Sequence, residues 1–265
     1  MTAHHIRFEV GSDGVATLTI DRPEKRNAMT YAMLGAFIEA GGKAGEDERV
    51  RVLIVTGAGG AFCAGTDLAD LATIPGESRG VRGRSDQHDV WWPLVACPKP
   101  VIGAIDGYAG GMGAEFTSQC DVRIVSDRAR FAWNFAHRGL VPDTGAGSWL
   151  LPRLIGPSRA LRLLYSGGFL EAAEAKEIGY VAEVVAPEAL MDAARAEAVR
   201  YLSSSPFSLR HMKQLVWRGL ERDVAEHMEA HVAALSAAFK SEDHKEGVAS
   251  FLERRPAAWR ETPRP

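Results

Sequence analysis

Two glycine-dense segments hold the residues best placed to do chemistry, 61–68 (AFCAGTDL) and 107–115 (GYAGGMGAE). Each follows a run of aliphatic residues suited to a buried strand, and glycine there lets backbone come close to a ligand. A helix start leaves its first N–H groups without intrahelical acceptors. Two such groups aimed at one point would form an oxyanion hole, where losing one donor costs on the order of 10²–10³ in rate. The same spacing also fits plain tight connections. Glu115 closes the second segment. Behind an apolar, glycine-rich turn a carboxylate loses solvation, and its pKa rises towards that of a general base. The competing reading is an ordinary helix-surface glutamate. Asp143, inside Val141-Pro142-Asp143-Thr144-Gly145, reads from composition as a turn aspartate.

Other chemistries fail on spacing. A dinucleotide fingerprint needs a third glycine where Phe62 follows Gly57-x-Gly59 and where Phe116 follows Gly111-x-Gly113. No phosphate-binding Gly-x-x-x-x-Gly-Lys-Ser/Thr loop is present, and residues 156–160 (GPSRA) miss the nucleophile elbow by their last residue. His227 and His231 stand four apart, without a cysteine or carboxylate partner, so no metal site is expected. Cys63, Cys97 and Cys120 are odd in number and unpaired in spacing, which reads as reduced thiols.

The elements that must carry these residues follow from periodicity. Residues 6–9 and 15–20, split by Gly11-Ser12-Asp13-Gly14, predict a β-hairpin. Thr30 reads as an N-cap, with Met33, Leu34, Phe37 and Ile38 on one helical face and Gly41-Gly42 as the stop. Residues 51–56, 100–105 and 122–125 read as buried strands. Strand, glycine turn, helix, strand is the rhythm of an α/β fold with parallel pairing. Residues 74–87 show no period and read as a surface loop. From Ser205-Pro206 onward the reading is helical, with Pro206 at a first helical position and Ser241 capping a later helix. The predicted organisation is an α/β core over 1–200 and a helical region over 201–265.

Composition bounds the rest. The chain has 265 residues, 46% hydrophobic and 25% charged, a globular balance. The formal net charge of −3 lacks the basic excess of a dedicated nucleic-acid binder. No apolar run approaches the roughly 20 residues of a membrane span, and the first residues lack a signal-peptide core. A cytoplasmic protein without nucleic-acid or membrane partners is expected.

An ordered series of segments makes the resemblance specific: 21–29 (DRPEKRNAM), 61–68, 99–113 (KPVIGAIDGYAGGMG), Cys120-Asp121, Arg130-Phe131, 139–143 (GLVPD), 151–156 (LPRLIG) and the tail from Glu246-Gly247 to Arg255. Together they resemble the enoyl-CoA hydratase/isomerase (crotonase) superfamily from end to end. The resemblance implies a ββα spiral core with a helical C-terminal trimerisation region, and a homotrimer or a hexamer of two trimers. It implies an acyl-CoA substrate, with coenzyme A entering as part of that substrate and no separate cofactor. The thioester oxygen would lie between the backbone N–H groups of Thr66 and Met112. Glu115 matches a catalytic glutamate of the hydratases, and Asp143 matches a catalytic aspartate of double-bond-shifting members. The second hydratase glutamate is replaced by Phe135, which can neither hold water nor deliver a proton. The resemblance thus leans to isomerisation of an enoyl-CoA. Hydration by Glu115 alone, or a catalytically silent acyl-CoA binder, stays open. Arg26, Ala28, Ala64, Asp67, Leu68, Phe239 and Arg254 match or neighbour coenzyme-A-contacting positions, although Arg254 also suits a helix C-terminus. Trp92, Trp133 and Phe135, with Trp91 and the 74–87 loop, are candidates for the acyl pocket. His88 and His137 match no catalytic position.

Overall fold

A computed structural model of the chain describes residues 2–72 and 92–259. The 74–87 loop, His88 and Trp91 lie outside the described residues. Short β1 (Thr2–Ala3) pairs with β2 (Ile6–Val10), which forms the expected hairpin with β3 (Val15–Ile20). Beyond the hairpin, β4 (Val52–Gly57), β5 (Val101–Ile105), β7 (Val122–Ser126) and β10 (Glu183–Val185) add in parallel. The order across this sheet is β1-β2-β3-β4-β5-β7-β10.

Alternation along β4 sends its residues to two separate cores. Leu53 and Val55 face one core, with Phe37 and Phe116. Val52 and Ile54 face the other, with Ala194 and Ala198 of α8 (Leu190–Leu202). A parallel sheet covered on both faces needs such continuous apolar strands. The expected division near residue 200 falls inside α8, which packs on the sheet.

A smaller ladder runs alongside. Cys63 bridges Ala109 in β6 (Tyr108–Gly110), β6 pairs in parallel with β8 (Arg130–Ala132), and β8 pairs antiparallel with β9 (Leu170–Glu171). Thus β5, β6 and α4 (Met112–Ser118) make one ββα turn. The next is β7, β8 and, after a 3-10 turn at Ala136–Arg138, α5 (Ala146–Ile155). Successive turns stack through both ladders, which is a spiral.

Helix α1 (Tyr31–Glu46) starts as expected, with the Thr30 hydroxyl accepting from the Met33 N–H at 3.2 Å. It does not stop at Gly41-Gly42. Gly41 and Gly45 instead let it lie against Pro93 and Pro98, where added Cβ atoms would stand 3.3 and 2.9 Å from the prolines. Close packing overrides the weak helix preference of glycine. Helices α2 (Leu68–Ala72) and α3 (Pro93–Ala96) are short. After β8 and α5 come α6 (Pro157–Ser166) and α7 (Ala172–Glu177). The C-terminal part is α9 (Pro206–Gly219), α10 (Val224–Lys240) and α11 (Glu242–Glu253), with Pro206 at the start of α9 and Ser241 capping α11. No helix among the described residues is long and apolar enough to cross a membrane.

Candidate active site

The two glycine segments meet. Gly65 adopts φ +99°, and a Cβ there would stand 2.8 Å from the Gly110 carbonyl oxygen. Gly111, the residue before α4, adopts φ 51°, ψ −122°. On α4 itself, a Cβ at Gly113 would stand 2.2 Å from the Cys63 carbonyl oxygen. Glycine is needed at Gly65 and Gly113 because one turn of backbone rests on the other, and at Gly111 because of its positive φ.

This contact brings two amides to one cavity. Met29 donates its N–H to the Gly65 carbonyl, and Asp67 donates to Met29. Because amides alternate sides along extended chain, the intervening Thr66 N–H faces away from that bridge. Met112 is the first residue of α4, where an N–H has no intrahelical acceptor, and Gly111 before it has no side chain to cap with. Thr66 and Met112 both line a cavity of about 820 Å³. The partial positive charge of the helix start adds to the field there.

Behind this corner lies an acid pair. Glu115 is fully buried. Its Oε2 accepts from the Thr144 N–H at 2.7 Å and the Thr144 hydroxyl at 2.5 Å, and its Oε1 accepts from the Gly147 N–H at 2.6 Å. Those donors favour the ionised form, but burial outweighs them, and the Asp143 charge adds to it, so Glu115 is pushed well above the usual carboxylate range. Burial raises Asp143 too, against bonds from Glu115 and Thr66 that favour its charge. The Thr66 hydroxyl stands 3.4 Å from Asp143 Oδ2. Asp143, unlike Glu115, lines the cavity and is exposed there. Both acids are thus held above the ordinary carboxylate range, and the two titrate together rather than independently.

The remaining expected residues divide by location. Ala28, Ala64, Asp67, Leu68 and Phe135 line the same cavity as Thr66, Met112 and Asp143. Glu115 does not; it stands behind Asp143 and Thr144. Asp67 is largely engaged already, pairing with Arg22 at 2.7 Å and accepting from the Ala69 N–H at the start of α2. Arg26 is exposed in a left-handed conformation outside the lining, and its neighbour Lys25 lines the cavity instead. Phe239 on α10 and Arg254 at the end of α11 also lie outside it.

Two expected pocket aromatics are not on the wall. Trp133 is completely buried, 6.4 Å centroid to centroid from Phe131 and 5.6 Å from Tyr180. The reason is β8, which points the chain end between the small ladder and α5. Trp92 lines a separate cavity of about 610 Å³. Its indole Nε1–H donates 2.9 Å to the Thr144 carbonyl.

Residues not anticipated also contribute. Leu34 and Ile38 turn from the α1 core face towards the cavity, joined by Tyr31 and Gly35. Their signal was present: α1 carries two apolar stripes, Met33/Phe37/Ala40 and Leu34/Ile38, wider than one buried face needs. Asn134, Arg138, Leu140 and Thr144 arrive through irregular chain around the 3-10 turn, which has no periodic signature.

The chain is similar to known proteins along most of its length. The family model described as enoyl-CoA hydratase/isomerase matches residues 11–262. The 1,2-epoxyphenylacetyl-CoA isomerase of Escherichia coli strain K12 is 36% identical over 246 residues, covering 91% of this chain and 93% of that protein. The crotonyl-CoA hydratase of Syntrophomonas wolfei is 35% identical over 247 residues, covering 92% and 93%. Among solved structures, an enoyl-CoA hydratase from Bacillus anthracis superposes with TM-score 0.90 at 30% identity, covering 98% of this chain and 100% of that one.

Proposed function

The chain belongs to the enoyl-CoA hydratase/isomerase family, and from that premise we propose that it shifts the double bond of an enoyl-CoA thioester through an enolate. The observation that carries this reading is Asp143 in one cavity with Thr66, Met112 and the apolar Phe135, with the buried Glu115 behind it on the donors of Thr144 and Gly147. The thioester oxygen accepts from the two amides, whose value grows as negative charge moves onto it. The Asp143 carboxylate takes a proton from the acyl chain: the C–H bond breaks, an O–H bond forms on Asp143, and the electron pair delocalises into the enolate. The proton then returns to a different carbon, from Asp143 directly or with Glu115 resupplying it. The double bond has moved and no atom is gained. Phe135 lines the cavity with a ring that cannot hold an attacking water.

Ala28, Ala64, Asp67 and Leu68 serve coenzyme A along the cavity rim, with Arg26 close by. Phe239 and Arg254 reach the ligand only if a neighbouring subunit presents them, in keeping with a homotrimer or a pair of trimers. No separate cofactor enters this scheme, and cytoplasmic location remains part of the same reading.

The test is turnover of short 2-enoyl and 3-enoyl thioesters in D₂O. The expected result is double-bond migration with deuterium entering the acyl chain, lowered about 10²–10⁴-fold by Asp143→Asn. A 3-hydroxyacyl product would replace this reading with hydration, the reaction named for the Syntrophomonas relative. Tight binding of every thioester without conversion would make the protein a silent acyl-CoA binder.

A further inference from the structure

Resting on the reading above, we infer that Trp92 is a positioning residue for the reaction: its indole N–H fixes the turn that carries Asp143 and the donors to Glu115. The turn 139–145 needs such an anchor. It has no regular secondary structure, and Val141 within it is 79% exposed. Pro142 offers no N–H, and Gly145 ends the turn at φ 79° with nothing within 4 Å of where a Cβ would stand. Among the described residues, the hydrogen bonds that tie Asp143 and Thr144 to other elements are few. Thr144 donates twice to Glu115, Thr66 reaches Asp143 at 3.4 Å, and Trp92 donates to the Thr144 carbonyl at 2.9 Å.

Thr144 is thus held through both of its flanking peptides. Its carbonyl is held by Trp92, which precedes α3, and its N–H and hydroxyl point to Glu115 on α4. A peptide is planar, so holding one carbonyl sets the plane of the next N–H and restricts Thr144 itself. Trp92 does this from behind, because its ring belongs to the adjoining cavity with Trp149 and Leu150 rather than to the substrate cavity. The groups that act on Glu115 are Asp143 and Thr144 from the turn and Gly147 on α5. Asp143 is the titratable one among them. Loosening Thr144 therefore acts on both members of the acid pair and on no other charge.

The experiment compares Trp92→Phe, which keeps the packing and loses the donor, with Trp92→His, which keeps a ring N–H. With an enoyl-CoA thioester, Trp92→Phe should lower kcat about tenfold and leave KM within about twofold, since a small misplacement of a reacting group is costly. It should also move the Glu115 titration upward, read by ¹³C NMR of labelled carboxyl groups, as two donors to the ionised form lose alignment. Trp92→His should restore both in part. Unchanged kcat and an unchanged Glu115 titration in Trp92→Phe would overturn the inference, even if the melting temperature falls. Should that variant fold poorly, Trp92→Met serves as the donorless variant: a raised Glu115 titration supports the positioning role and a wild-type one overturns it. The NMR arm needs no substrate, so failure of the isomerase reading and failure of this inference are told apart.

Discussion

A carboxyl group that is to keep its proton near neutral pH must be shielded from water, whereas one that is to touch a substrate must reach a cavity. Glu115 meets the first demand and Asp143 the second, and Thr144, next to Asp143 in the turn, donates to Glu115 and links them. The linkage has a consequence for stability. Glu115 has its pKa raised in the folded chain, so from the ordinary glutamate value of about 4.3 upward the native state binds more protons than the unfolded one. Its contribution is fully present below that value and is lost as pH rises through the raised pKa. Asp143 is shifted in the same direction. Urea denaturation of the wild type should therefore show stability falling with pH across that window, and Glu115→Gln should flatten the fall. Equal slopes in the two proteins would contradict this account. Glu115 was legible as a desolvated acid because an apolar glycine turn precedes it. Asp143 was not legible from its own neighbourhood, since an aspartate after proline in a turn is ordinary there.

At the scale of elements, the site depends on how closely α4 lies against the 61–68 segment. Gly113 sets that distance, with the Cys63 carbonyl oxygen and Cβ at 2.2 and 2.8 Å from where its own Cβ would be. Gly113→Ala should lower stability by about 1–3 kcal/mol, as overpacking does. It should also lower kcat by more than that loss of folded protein explains, because pushing α4 outward parts Met112 from Thr66. Activity measured at matched folded fractions, with circular dichroism as the gauge, checks this; proportionate losses would place the amides elsewhere. Strands and caps were readable at this scale because period and cap chemistry are local: β2, β3, the Thr30 and Ser241 caps and Pro206 at the start of α9 stand where expected. The extension of α1 past Gly41 was not, since the prolines that favour glycine there come from α3 and the residues after it.

For the whole molecule, the C-terminal helices leave an apolar surface without cover in the single chain: Val232 and Phe239 are 60% exposed on α10, and Phe251 and Leu252 are 82% and 74% exposed on α11. Scattered apolar residues are normal on a surface, but a contiguous set marks an interaction site. If this face joins subunits, sedimentation should report a trimer or hexamer, and Phe251→Glu should shift it towards monomer while leaving the helical signal intact. A wild-type monomer at micromolar concentration would remove the proposal that Phe239 and Arg254 act across subunits. The linear chain by itself determined the parallel α/β layers, the two glycine turns and the order of motifs that marks the family, because each depends on neighbours within a few residues. Only folding in three dimensions decided that Glu115 stands behind Asp143, that Trp92 grips Thr144 from the far side, and that Trp133 is core. Those facts depend on contacts between residues 29 to 52 positions apart, and no local pattern records which distant groups will share a cavity or lose their water.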